Sequence, residues 1–156
     1  MIGRLKSLLA ARPDQRGEAG GEAELRRSVA ALLFMAAQMD DRIDATERAV
    51  IADAVAARFA LPADEAAALL AEAEREAQDA THFQRFTAEI KQAYDDAERL
   101  RVMEMLWQVV CADGVVHDRE ANLMRRIAGL LYVTDKDSGL ARQRALASAD
   151  AARTRT

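Results

Sequence analysis

Carboxylates recur in this 156-residue chain at a spacing suited to holding a cation. The stretch Met39-Asp-Asp-Arg-Ile-Asp-Ala-Thr-Glu47 gathers Asp40, Asp41, Asp44 and Glu47. A second, Ala112-Asp-Gly-Val-Val-His-Asp-Arg-Glu120, gathers Asp113, Asp118 and Glu120 beside His117. A hard cation such as Ca²⁺ or Mg²⁺ needs several oxygens converging at about 2.0 to 2.6 Å, and carboxylates supply both the oxygens and the compensating charge. Neither stretch is an EF-hand, whose loop alternates Asp or Asn at its first, third and fifth places and ends on a bidentate Glu at the twelfth. Here Arg42 and Val115 stand third and each Glu stands eighth. The same residues also make sense as helix caps: an Asp at an N-cap, an acid in a first turn or a Glu three places after the cap is each worth about 0.5 to 1 kcal/mol. Capping does not require Asp40 and Asp113. They fall where the preceding helices close, and there the helix dipole disfavours negative charge. Those two residues are what favours a cation.

The elements that carry these loops repeat. Asp40 falls on Asp113, Ile43 on Val116, Glu47 on Glu120, Ile51 on Met124 and Phe59 on Tyr132, each pair 73 residues apart. A helix-loop-helix unit used twice, with halves related by a rough twofold, is expected. Upstream of each loop lies a long apolar stretch. Leu25, Val29, Leu32, Leu33 and Ala36 give residues 22–39 one broad face, and Leu100, Met103, Leu106, Trp107, Val110 and Cys111 do the same for 97–112, so both helices are expected to be central. Downstream, Val50, Ile51, Ala54, Val55 and Phe59 in one unit and Leu123, Met124, Ile127, Leu130 and Leu131 in the other mark one-sided helices. Leu33, Val55, Leu106, Trp107, Ile127 and Leu131 should be largely buried. Pro62 with Asp64 and Glu65 opens a further helix, Thr81 or His82 another that runs to Tyr94, Asp95 or Asp96 caps the next, and Thr134-Asp135 starts a last one ending near Ser148. Ile2, Leu5, Leu8 and Leu9 form a short amphipathic helix before Pro13 and a Gly-bearing linker. The expectation is an all-α bundle of about seven helices: residues 1–21 a short amphipathic helix and flexible linker, 22–148 one helical domain, and 149–156 a disordered tail.

Composition agrees with one helical domain, since Gly numbers 7, Pro 2 and β-branched runs are scarce. The formal charge is −4; residues 1–12 carry +3 and residues 139–156 another +3, which leaves −10 between them. An acidic body repels phosphate backbones, so nucleic acid is not the expected partner. One cysteine permits no internal disulfide, and no window supplies an uncharged run of membrane length, so a cytoplasmic, non-spanning protein is expected. Two histidines, one cysteine and few serines leave no nucleophile with its base and orienting group, which argues against an enzyme. Cys111 and Trp107 read as core filling, and His82 and His117 as surface residues.

The second stretch, from Cys111-Ala-Asp-Gly to Glu120 and into Leu123-Met-Arg-Arg-Ile127, resembles the signature of the tellurite-resistance TerB-like family. The first stretch is similar but carries Asp41 where the family commonly has Gly. The resemblance covers about residues 22–148. It implies a compact helical domain of bacterial tellurite and stress-response systems with no established catalysis, related to modules found on membrane-linked proteins. It also implies Asp40, Asp44, Glu47, Asp113 and Glu120 as candidate ligands of a divalent cation, Ca²⁺ or Mg²⁺, and action through a protein partner. The alternative is an interaction scaffold without metal, its acidic loops serving as caps.

Overall fold

The structure, a computed structural model, describes residues 12–38, 43, 45–112 and 114–155. Among them are seven α-helices, one 3₁₀ turn and no strand, the all-helical class that composition implies. We number the helices α1 (Arg12–Ala37), α2 (Ala45–Phe59), α3 (Ala63–Ala77), α4 (Phe83–Ala93), α5 (Asp96–Val110), α6 (Asp118–Leu130) and α7 (Asp135–Arg155); the 3₁₀ turn, Ala80–His82, leads into α4.

Helix α1 is the hub, packing against α2, α3, α4, α5 and α6. Every residue from Ser28 to Phe34 is buried, so the helix is enclosed on all sides there, which explains why apolar residues spread around its cylinder instead of forming a stripe. Helix α5 is the second buried rod, with Val102, Met103, Met105, Leu106, Trp107, Val109 and Val110 in the core. All six residues expected inside, Leu33, Val55, Leu106, Trp107, Ile127 and Leu131, are buried, as is Cys111. Helix α7 packs mainly on α5, where the Trp107 indole Nε1 donates to the Ser138 hydroxyl at 3.0 Å inside the interface. That bond satisfies two polar groups that burial would otherwise penalise.

Polar contacts fix the helix ends. Asp95 caps α5 through a reciprocal box: its carboxylate accepts from Glu98 N–H at 2.9 Å, while Glu98 accepts from Asp95 N–H at 3.0 Å. The Arg99 guanidinium donates to the Tyr94 carbonyl at 2.8 Å and to the Leu131 carbonyl at 3.3 Å. One cation thus serves the C-terminal ends of α4 and α6 together, where the dipoles favour positive charge. Thr134 Oγ1 accepts from Asp137 N–H at 3.1 Å and starts α7, as its sequence suggests.

Two helix ends differ from the sequence reading. The backbone is helical from Arg12, whereas a linker is expected over residues 13–21. Pro13 lies in the first turn, where its missing N–H leaves no bond unmade, so it does not end a helix there. Helix α7 continues past Ser148 to Arg155, because the Ala- and Arg-rich residues that follow contain no Gly or Pro to stop it. The amphipathic helix expected over residues 2–11 lies outside the described residues.

Candidate functional site

The second loop is built by the end of α5 and the start of α6. Cys111 N–H bonds back to the Trp107 carbonyl at 2.8 Å, and Gly114 N–H to the Cys111 carbonyl at 2.8 Å. Gly114 has φ 84°, a left-handed conformation that residues with a Cβ resist, which accounts for glycine at this turn. Val115 is exposed and Val116 packs at the edge of the core. His117, extended at φ −86° and ψ 158°, is the N-cap of α6.

Glu120 stands at the third position of α6 with only 2 % of its surface exposed. Its Oε1 accepts the His117 backbone N–H at 2.9 Å. An acid so deeply placed would be costly without such a donor, and the N–H would otherwise be an orphan of the helix start. His117, Asp118 and Arg119 are exposed. In the first loop Glu47 lies half-buried in the first turn of α2, and Ile43 packs against the core. Of the five candidate ligands, Glu47 and Glu120 are thus placed by the structure; Asp40, Asp44 and Asp113, together with Asp41, lie outside the described residues. Among the described residues no three of His, Cys, Asp and Glu gather closely enough to hold a metal ion. Nor is any helix of the described chain long and apolar enough to cross a membrane.

The two histidines stay near the surface, as expected. His82 is half-buried at the N-cap of α4, with Nε2 3.6 Å from Asp79 and its ring edge-on to Phe86. Asp79 also accepts from the Thr81 hydroxyl at 2.6 Å and from Thr81 N–H at 2.9 Å, and these bonds hold its carboxyl below the usual range.

The structure adds a feature that the sequence reading did not single out. A cleft of about 520 Å³ opens where the 3₁₀ turn, α4 and α6 meet the C-terminal part of α1. Met35, Phe83 and Leu123 form its apolar lining, Thr81, Gln84 and Asn122 are its neutral polar groups, and Arg119 and Arg126 are its charges. The signal was present in the spacing: residues 119, 122, 123 and 126 follow the i, i+3, i+4, i+7 rule for one helix face. Apolar periodicity reports only the buried side of the same helix, which Leu123 shares with Met124 and Ile127.

No curated protein and no solved structure matches the chain significantly. A family model described as tellurite resistance protein TerB does match, over residues 26–143, a span that reaches from α1 into α7 and includes both acidic loops. The chain therefore belongs to the TerB family of tellurite-resistance proteins.

Proposed function

We propose that this chain is a non-catalytic, cytoplasmic module associated with tellurite resistance, whose acidic loops bind a divalent cation, Ca²⁺ or Mg²⁺, and which works through a protein partner, in part at a membrane surface. The family match over residues 26–143 is the observation that carries the reading. Asp40, Asp44 and Glu47 would hold a cation at one loop, and Asp113 and Glu120 at the other. Asp40 and Asp113 follow the ends of α1 and α5 in sequence, and a bound ion would supply positive charge near the negative dipole ends of those helices. A protein with no reactive site of its own can then respond to the ion only by presenting a more ordered surface, and so a partner is required. Cys111, enclosed in the core, is poorly placed for thiol chemistry.

A second reading has its own support. The Glu120 carboxylate is already engaged with the His117 N–H. On that view the acids are caps and the module is an interaction scaffold without metal. Growth on potassium tellurite separates the two readings. Deletion of the coding region from the host should lower tolerance, the wild-type chain should restore it, and Asp40→Asn with Asp113→Asn should fail to restore it while accumulating to normal levels. Full restoration by that double variant favours the scaffold, and no effect of the deletion removes the tellurite association for this chain.

A further inference from the structure

The cleft between α4 and α6 is separate in character from the acidic loops. In a chain of net charge −4, its only charged lining groups among the described residues are two arginines. Some guanidinium groups of the chain are matched by acids, Arg27 and Arg85 by Glu76, Arg48 by Glu74 and Arg144 by Glu104. Arg119 and Arg126 have no acidic partner among the described residues. They lie two turns apart on α6 and flank the cleft, and Arg126 is held over the face of Phe83 at 5.0 Å from the ring centroid. That contact orients the guanidinium while leaving its N–H groups to be shared. Asn122 adds a donor, because its Oδ1 is occupied by Arg125 at 2.9 Å and its amide nitrogen is not. The polar side of the cleft is therefore rich in donors, and its apolar side is Met35 together with the edges of the largely buried Phe83 and Leu123.

We propose that this cleft binds a small organic anion, a carboxylate or phosphate that carries an apolar group. The negative end meets Arg119 and Arg126, and the apolar group lies on Phe83 and Leu123. The volume falls within the roughly 300 to 1,000 Å³ of small-molecule sites, and planar guanidinium forks suit both anion types. An inorganic oxyanion would leave the apolar side empty, so the proposal requires preference for an amphipathic anion.

Titration of the full chain with phenyl phosphate and with phenylacetate, followed by nuclear magnetic resonance and calorimetry, tests this. At least one should bind saturably below about 10 mM, shift the Phe83 and Leu123 signals, and bind more tightly than inorganic phosphate. Arg119→Gln and Arg126→Gln should each weaken binding about tenfold, the loss expected of one charge-assisted hydrogen bond. Arg101→Gln, on an exposed position of α5 outside the cleft, should leave it unchanged. Raising the salt concentration on the wild-type chain should also weaken binding, a readout that needs no variant. Absence of saturation with both probes, equal affinity for inorganic phosphate, or binding that survives both substitutions or is indifferent to salt would overturn the proposal.

Discussion

The helix pairs α1–α2 and α5–α6 carry buried residues at corresponding places in the sequence, and they end differently. At the 73-residue offset Val29 stands opposite Val102, Leu33 opposite Leu106 and Phe34 opposite Trp107, and all six are buried. The second helices also start in register, at Ala45 and Asp118. They do not stop in register. Helix α2 has 15 residues and closes with Leu61 N–H on the Ala56 carbonyl at 3.2 Å, whereas α6 has 13 and closes with Val133 N–H on the Ala128 carbonyl at 2.9 Å. The turning residue is Ala60, φ 52°, in the first case and Tyr132, φ 60°, in the second. Phe59 and Tyr132, equivalent in sequence, consequently part company. Phe59 is the last residue of its helix, half-buried beneath the Arg26 and Arg58 guanidinium groups, while Tyr132 sits in the left-handed turn, 69 % exposed, with Lys91 over its ring. A shared sequence pattern therefore specifies the buried interior and the helix start more firmly than the helix end, which the next element decides. After α2 the chain must reach Pro62 and α3; after α6 it must reach Thr134 and α7.

The largest effects should come where the two pairs agree. Leu33→Ala and Leu106→Ala each remove a fully buried side chain and should each cost about 2 to 5 kcal/mol in denaturant unfolding. A near-zero cost at one of them would show that the two interiors are not equivalent in energy. The next effect should separate the two glutamates. Glu120→Ala removes a buried side chain and takes from the part-buried His117 N–H its acceptor, and should cost about 1 to 2 kcal/mol, and Glu47→Ala, at a half-buried position, should cost less. Equal costs would break the contrast.

The helix ends offer a finer comparison. Ala60→Gly should stabilise by about 0.5 to 1 kcal/mol, since glycine relieves a left-handed backbone at a modest cost in unfolded-state entropy. Tyr132→Gly gains the same relief but forfeits the Lys91 contact, itself worth about 0.5 to 1 kcal/mol, and should come out near neutral. Equal gains at both sites would show that the Tyr132 ring contributes nothing.

The smallest expected effect is a pH dependence at the α2–α3 surface. Both Glu74 oxygens accept from Arg48 at 2.7 Å, and those bonds lower the Glu74 pKa below its ordinary 4.5. The contribution of this group is thus fully present above that value and is lost as pH falls through the lowered one. Glu74→Gln should flatten the acid limb of the stability curve there. An unchanged limb would mean that the pair is too solvent-screened to matter.

What the sequence made legible follows from local physics. Period-3.6 apolar spacing identified the enclosed stretches of α1 and α5, and side chains that can accept from free N–H groups identified the starts of α5 and α7. Arg99 was not legible, because its two carbonyl partners at Tyr94 and Leu131 meet only after the chain has folded. The cleft was missed for a related reason: Phe83 and Arg126 lie 43 residues apart in sequence, and no local pattern joins them. The candidate ligands placed by the structure, Glu47 and Glu120, were legible twice over, as helix-start acids and as candidate ligands. Residue type alone does not separate those roles.

Thermal unfolding of the full chain during titration with Ca²⁺, Mg²⁺, Mn²⁺ and Zn²⁺, alongside calorimetry, tests the cation-binding loops most directly. A cation held only by the folded state stabilises it by mass action, so Ca²⁺ or Mg²⁺ at millimolar concentration should raise the unfolding midpoint, and Asp40→Asn with Asp113→Asn should remove that rise. No heat of binding and no rise with any of the four ions would contradict a cation site and leave Glu47 and Glu120 as caps.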